Sequence, residues 1–337
     1  MLTVNELFSG IGAFRKALIN LNIPYEIVGI SEIDKFSIQS YGAMYGKTRN
    51  YGDISKIEKL DYADLWTYGF PCQDISQAGK QAGIVKGKTR SGLLYEVERL
   101  LTKSVEDGES PKYLIMENVK ALVGKKFIKD FEAWIFRLSE LGYETYWKVI
   151  NAADYGIPQK RERVIAVSIR RDLHKSFEFP APIPLKFSFR DALEEYPDSK
   201  YFLSNDMYEF CTERDQYCKS HNLGYRFTPL ERESCKIAKT ITTREGSRIE
   251  NNFIREAVHT DSDSLWKTEV KILDKSNVRK LTPKECFRLM GFSDSDYEKA
   301  HSVCSDTQLY KQAGNSIVVD VLEAVLKELL KDEIQGI

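Results

Sequence analysis

A thiol at Cys72, a carboxylate at Glu117 and guanidinium groups at Arg161 and Arg163 are the side chains of this chain that could carry covalent chemistry. A thiolate attacks electron-poor carbon, a carboxylic acid passes a proton, and an arginine adds a fixed positive charge. Together they suit nucleophilic catalysis on a heterocycle. Cys72 stands in Asp64-Leu-Trp-Thr-Tyr-Gly-Phe-Pro-Cys-Gln73, where Leu65 to Phe70 reads as a short apolar strand ended by Pro71. Proline has no N–H to give a sheet ladder, so the thiol falls just outside the carboxyl end of the strand, where open α/β sheets place ligands. Taken alone, a free cysteine is more often a small buried hydrophobe. That alternative stands until the other groups are placed.

The elements that must position these groups follow in order. Leu2 to Phe8 is strand-like, Ser9-Gly10-Ile11-Gly12 breaks it, and Ala13 to Leu21 carries Phe14, Ala17, Leu18 and Leu21 at helical spacing. Such a turn lets backbone N–H groups close on a ligand at a helix N-terminus. A second strand, Glu26 to Ser31, ends in Glu32-Ile33-Asp34, and Glu32 lies 20 residues past Gly12. That is about the offset at which an acid meets a ribose hydroxyl in dinucleotide folds. The third glycine of the dinucleotide fingerprint is missing, which favours a mononucleoside-like cofactor; an ordinary tight turn is the competing explanation. Lys35 to Tyr45 reads as helix, and Gly52-Asp53-Ile54 ends a short extended piece. Leu93 to Leu101 and Phe127 to Leu141 are helical, and Lys112 to Met116 is a strand that delivers Glu117-Asn118-Val119 at its carboxyl end. Thr145 to Ile150 and Val164 to Ile169 read as a hairpin. The alternation predicts an α/β sheet, mostly parallel with an antiparallel edge.

Between Gly79 and Ser91, Lys80, Lys86, Lys88 and Arg90 form a run of cations without an acid. It is a solvated face or, with its glycines, a lid that closes on a polyanion. Phe179-Pro-Ala-Pro-Ile-Pro184 is stiff and helix-incompatible and marks a domain boundary. Residues 185–275 show no clear period. Within them Lys219, Arg226, Arg232, Lys236, Lys239, Arg244 and Arg248 face only Glu231, Glu233 and Glu245, a basic island or plain surface in a chain of net charge −1. Thr282-Pro283-Lys284-Glu285 has the form of a capping box, and Ser316 to Glu333 reads as a last helix behind Gln312-Ala-Gly-Asn-Ser316. The six cysteines form no C-x-x-C pair, so no metal site and no disulfide framework are expected. No apolar run reaches membrane length and Met1 leads straight into a strand, so a cytoplasmic protein with no membrane partner is expected.

Phe8-Ser-Gly-Ile-Gly12, Gly69-Phe-Pro-Cys-Gln73, Glu117-Asn-Val119, Gln159-Lys-Arg-Glu-Arg163 and Gln312-Ala-Gly-Asn-Ser316 resemble, in order and spacing, the cytosine-5 DNA methyltransferase family of single-module bacterial and phage type. The resemblance implies a Rossmann-like S-adenosylmethionine-dependent methyltransferase sheet with a second, smaller and irregular target-recognition domain. It assigns 1–182 plus 305–337 to catalysis and cofactor, 185–275 to target recognition and 276–304 to a hinge. It implies that Phe8, Gly10, Gly12 and Pro71 meet S-adenosylmethionine, with Glu32 on the ribose, Ile33, Asp53 and Ile54 at the adenine, and Asn315 and Ser316 at the methionine side. Ile33 stands where relatives often carry an aromatic, which leaves apolar packing in place of stacking. Cys72 would add to carbon 6 of cytosine, Glu117 would hold the proton at N3 with its pKa raised by burial, and Arg163 with Arg161 would hold the ring carbonyl. The base must leave the duplex stack for this. Ser76 and Gln81 would then fill the vacated stack, with Lys80, Lys86, Lys88 and Arg90 near phosphates. Lys239-Thr240-Ile-Thr-Thr243 resembles the Thr-Ile signature of recognition domains, and Arg244 follows it, although Thr-Ile-Thr is equally a plain strand.

Double-stranded DNA is therefore the expected partner and a monomer the expected state, with a cognate restriction endonuclease in the same system but not in contact. Three rivals compete. A tRNA-methylating relative shares the Pro-Cys-Gln loop but typically carries a Cys-Phe-Thr tripeptide, which is absent here. A DNA-binding protein on a dead scaffold need not keep Cys72, Glu117 and Arg163 together, and a generic Rossmann enzyme leaves five ordered motifs to coincidence.

Overall fold

A computed structural model describes residues 1–71, 75, 90–247, 250, 252–256 and 275–334. The chain divides into two compact units. Unit 1 comprises Met1–Asn151, Glu162–Pro182 and Val319–Ile337; unit 2 comprises Ala152–Arg161 and Ile183–Val318.

Unit 1 alternates strand and helix: β1 (Leu2–Leu7), α1 (Ala13–Asn20), β2 (Tyr25–Ser31), α2 (Lys35–Tyr45), β3 (Leu65–Tyr68), α3 (Leu94–Glu106), β4 (Tyr113–Val119), α4 (Ile128–Glu140), β5 (Tyr143–Asn151) and β6 (Glu162–Arg170). The sheet order is β2-β1-β3-β4-β6-β5. β1 pairs in parallel with β2 and β3, and β3 with β4, while β6 runs antiparallel to both β4 and β5. All of β3 and most of β4 are buried, as befits parallel strands covered on both faces. β5 exposes Glu144, Trp147 and Lys148 and takes the sheet edge. The antiparallel strand is thus one in from the edge.

The helices bury stripes at steps of three and four residues: Phe14, Ala17 and Leu18 on α1, Val97, Leu100 and Leu101 on α3, Phe131, Trp134 and Leu138 on α4. Each large apolar side chain buried this way contributes about 1.5–3 kcal/mol. The chain leaves β1 toward β2 on one side, then returns to place β3 on the other. The carboxyl ends of β1 and β3 therefore flank a topological switch point, where connections diverge and leave a crevice.

Unit 2 carries α5 (Phe189–Ala192), β7 (Phe202–Ser204), α6 (Asn205–Ser220), β8 (Leu230–Glu231), β9 (Phe253–Arg255) and β10 (Lys275–Lys280). Among the described residues these strands form a sheet in the order β7-β10-β9-β8. The helices α7 (Pro283–Leu289), α8 (Asp294–His301) and α9 (Asp306–Asn315) follow. α10 (Val319–Leu329) and α11 (Lys331–Ile334) return to unit 1, where α10 packs on α1 and Asn20 Nδ2 donates to Glu323 at 2.6 Å.

The structure departs from the sequence reading in three places and decides one alternative left open by it. The last helix starts at Val319, because Gln312-Ala-Gly-Asn315 ends α9 and a break follows at Ser316. Residues 305–318, read with the catalytic segment, pack in unit 2. α6 escaped notice because its buried face is only Cys211, Asp215 and Cys218, not an apolar stripe. Thr240-Ile-Thr242 forms no strand; its bonding is described below.

The capping box at α7 is present in both directions. The Thr282 hydroxyl accepts from Glu285 N–H at 3.2 Å and the Glu285 carboxylate accepts from Thr282 N–H at 2.8 Å. The same hydroxyl donates to Glu194 at 2.6 Å. Thr282→Ala should cost about 1–2 kcal/mol, read as a lower urea midpoint with an unchanged slope. Thr282→Ser should recover most of it, and a midpoint unmoved by Thr282→Ala would show that the cap carries no stability.

Candidate active site

At the end of β1 the backbone turns through Phe8 (φ 56°), Gly10 (φ 55°) and Gly12 (φ 76°). Among the described residues a Cβ placed on Gly10 would meet nothing within 4 Å, so this face of the turn is open to them. The Glu32 carboxylate reaches it from the end of β2. Its Oε2 accepts from Gly10 N–H at 2.9 Å, and its Oε1 accepts from Ile33 and Asp34 N–H at 2.8 Å each. A phosphate gripped by such a turn would need that Gly10 donor; here a carboxylate has it. The turn therefore fits a nucleoside without phosphates better than a dinucleotide. The Ser9 hydroxyl is buried in the turn without a partner among the described residues, a group a polar ligand could satisfy.

Asn50, which the sequence reading missed, fixes the neighbouring edge. Its amide accepts from Glu32 N–H at 3.2 Å and Gly52 N–H at 2.9 Å and donates to Glu32 O at 3.0 Å. Asp53 follows, accepting from the Ser55 N–H at 3.0 Å and hydroxyl at 2.8 Å; these two bonds hold its carboxyl below the usual range. Ile33 is 71% exposed and so available to a ligand, whereas Ile54 is buried in the core.

The ends of β3 and β4 are tied together. Asn118 Nδ2 donates to Phe70 O at 3.0 Å, and the fully buried Ser91 hydroxyl donates to Pro71 O at 2.8 Å. Ile75 is buried in the same core as Phe70. Asn118 stands in the Glu117-Asn-Val119 motif without a role readable there, and Ser91 gives no signal, because a carbonyl's partner is set by folding, not spacing. Cys72, Ser76, Lys80, Gln81, Lys86 and Lys88 lie outside the described residues; Arg90 opens a helical turn to Leu93.

Glu117, on β4, is 9% exposed, and Arg163 Nε lies 3.1 Å from its Oε1. The antiparallel register that sets Val119 opposite Arg163 makes this pairing possible. Arg161 differs: its guanidinium donates to the carbonyls of Ile241 (2.7 Å), Gly314 (3.1 Å) and Ser316 (2.6 Å), all in unit 2. Gln159 donates to Leu289 O at 2.7 Å and accepts from Ile241 N–H at 2.9 Å, and Thr240 donates to Lys160 O at 2.6 Å. The Thr-Ile-Thr segment is thus laced to Gln159-Lys-Arg161 through side chains, which is why it is not a strand. Ser316 is buried and Asn315 exposed.

The basic island is not one free face. Arg232 pairs with Glu256 at 3.0 Å and Lys219 with Asp215 at 2.5 Å. Lys239 donates to the Thr228 hydroxyl at 2.6 Å, and burial draws its ammonium below the usual range. Arg244 and Lys236 are exposed.

A family model described as C-5 cytosine-specific DNA methylase matches residues 2–331. The chain belongs to that family. Type II methyltransferase M2.ScrFI of Lactococcus lactis subsp. cremoris is 35% identical over 99% of this chain and 100% of its own length. Orphan methyltransferase M.SPRI of Bacillus phage SPR is 32% identical over 98% and 97%. The crystal structure of the S. pombe Dnmt2 methyltransferase shares the fold, with a TM-score of 0.71 over 99% of this chain and 100% of that one at 21% identity. The chain is a DNA (cytosine-5-)-methyltransferase, and the β-sheet of unit 1 is its methyltransferase sheet. Among the described residues no group of three or more His, Cys, Asp or Glu side chains could hold a metal, and no helix is long and apolar enough to cross a membrane.

Ser91→Ala would strip the Pro71 carbonyl of its donor immediately before Cys72. The methylation rate should fall roughly 10- to 100-fold, with DNA affinity within about twofold of wild type. A full rate in single-turnover assays would show that this bond does not position the loop.

Proposed function

We propose that this methyltransferase uses Cys72 as a covalent nucleophile on a cytosine flipped out of duplex DNA. The observation that carries the reading is the Glu117–Arg163 pair at the carboxyl end of β4, beside the strand end that Asn118 and Ser91 tie down. S-adenosylmethionine, when bound, supplies the methyl group as a sulfonium. The turn at Phe8, Gly10 and Gly12 would hold it, with Glu32 toward the ribose hydroxyls and Ile33 and Asp53 toward the adenine. The open face over Gly10 and the unpartnered Ser9 hydroxyl support that fit.

Carbon 5 of cytosine is a poor nucleophile within an aromatic ring. Addition of the Cys72 thiolate at carbon 6 makes the ring an enamine, and carbon 5 can then take the methyl group. Glu117 holds the proton that neutralises N3 as the adduct forms, and Arg163 orients Glu117 and faces the ring carbonyl. A base removes the carbon 5 proton and the thiolate leaves. Arg161, committed to three carbonyls, acts by shaping the Ile241 and Ser316 backbone. Lys80, Lys86, Lys88 and Arg90 would meet phosphates, and unit 2, with Thr240 and Arg244, would read the target sequence. Protection of host or phage DNA from restriction suits a chain whose relatives include type II and orphan phage methyltransferases.

Fluorine at carbon 5 cannot leave as a cation, so a duplex carrying 5-fluorocytosine at the target should form a denaturant-resistant complex that requires S-adenosylmethionine. Peptide mapping should place the bond on Cys72, and Cys72→Ser should form none. A cross-link to another cysteine, or none from an active preparation, overturns the mechanism; preferential trapping of RNA points to a tRNA substrate. Glu117→Gln should lower turnover by roughly 10² or more, measured at saturating DNA; an unchanged rate removes Glu117 from acid catalysis.

A further inference from the structure

One carboxylate beside the glycine turn has no part in this chemistry. Glu6 lies in β1, is 1% exposed, and burial pushes it up to about 7 against the opposing pull of Tyr41 and the Arg15 N–H. A buried acid is costly unless its oxygens are used. Both are: Oε1 accepts the backbone N–H of Arg15 at 3.0 Å, and Oε2 accepts the Tyr41 hydroxyl at 2.5 Å.

Arg15 is the third residue of α1, and its N–H is one of the donors that a helix leaves unsatisfied at its start. Ordinarily the N-cap side chain takes that donor. Here the N-cap is Gly12, which makes no side-chain cap bond. A Cβ at Gly12 would lie 2.6 Å from the Tyr45 ring and 2.7 Å from the Tyr41 ring, so the position cannot carry a capping residue. A turn kept bare for a ligand has lost its own cap, and Glu6 supplies the acceptor from the adjoining strand.

The rings that exclude a side chain at Gly12 belong to the same assembly. Tyr45 donates to Gly12 O at 3.1 Å. The Arg15 guanidinium lies 5.0 Å from the Tyr45 ring centre and 5.5 Å from that of Tyr41, and donates to Thr48 at 2.9 Å and to the Tyr25 hydroxyl at 3.2 Å. Strand β1, the start of α1 and the length of α2 are thereby joined behind the turn.

We propose that Glu6, acting through the Arg15 N–H and Tyr41, is a positioning residue for the cofactor, fixing the Ser9–Gly12 turn in its binding shape before the cofactor arrives. The inference rests on the assignment of that turn to S-adenosylmethionine. Pre-ordering a loop raises affinity because less freedom is lost on binding.

Titration calorimetry with S-adenosylhomocysteine, on the full chain without DNA, tests it. Glu6→Ala should raise Kd at least about tenfold, equivalent to about 1.4 kcal/mol. Glu6→Gln keeps an acceptor for Arg15 N–H and should stay within about threefold of wild type, and Tyr41→Phe should fall between. In steady state, Glu6→Ala should raise KM for S-adenosylmethionine while KM for DNA and kcat hold. A merely structural role would instead lower the melting temperature with Kd unchanged, or depress every kinetic constant together, and either result overturns the proposal. If Glu6→Ala does not fold, Tyr41→Phe decides: a Kd equal to wild type overturns it. A wild-type chain that fails to bind S-adenosylhomocysteine overturns the cofactor assignment itself, which separates the two failures.

Discussion

Strands buried on both faces leave a problem at their ends, and the catalytic face of unit 1 is the solution to it. Where β1 and β3 run out, the ladder stops while the surroundings remain partly dry, so the next carbonyls and N–H groups need partners from side chains. Glu32 takes the Gly10 N–H, Asn118 serves the Phe70 carbonyl, Ser91 the Pro71 carbonyl, and Glu6 the Arg15 N–H. Each bond is worth only about 1 kcal/mol net, but each also fixes the direction of a segment assigned to cofactor or base. Satisfying the backbone and shaping the site are one operation here.

That coupling explains what could be read in advance. The strands and helices of unit 1 show in the sequence because periodicity reports burial directly, as the apolar run Leu65 to Tyr68 and the stripe Phe14, Ala17, Leu18 illustrate. Glu32, Glu117 and Arg163 show because a reactive type at a strand end is a local pattern. Ser91, Asn50 and Glu6 do not, nor does the role of Asn118, because each answers a backbone group brought near only by the fold. Glu6 is the sharpest case: a carboxylate inside β1 contradicts the burial pattern and has no meaning until the missing cap at Gly12 is seen.

Unit 2 was less legible for a related reason. Beside a small apolar cluster of Leu203, Phe227, Phe253 and Val278, its interior buries charge: Arg279 is fully buried between Glu256 and Glu285, and α6 turns Asp215 inward with two cysteines. Charges removed from water hold position only when every partner is present, and a buried charge carries no hydrophobic rhythm to read. The same chemistry consumes part of the basic island, since Arg232 joins Glu256 inside. Net local charge in sequence therefore overstated the cations left for a partner.

The return of α10 to pack on α1 places the closing piece of unit 1 at the far end of the chain. During synthesis β1 to β6 emerge first, yet the helix that packs on α1 follows only after Val318. At ribosomal speeds of about 5–20 residues per second, the 136 residues from Ile183 to Val318 take roughly 7 to 27 s to pass. Unit 2, nearly continuous in sequence, can fold in that interval while unit 1 waits half-built. A nascent chain that stops before Val319 would thus lack the helix that packs on α1 in unit 1.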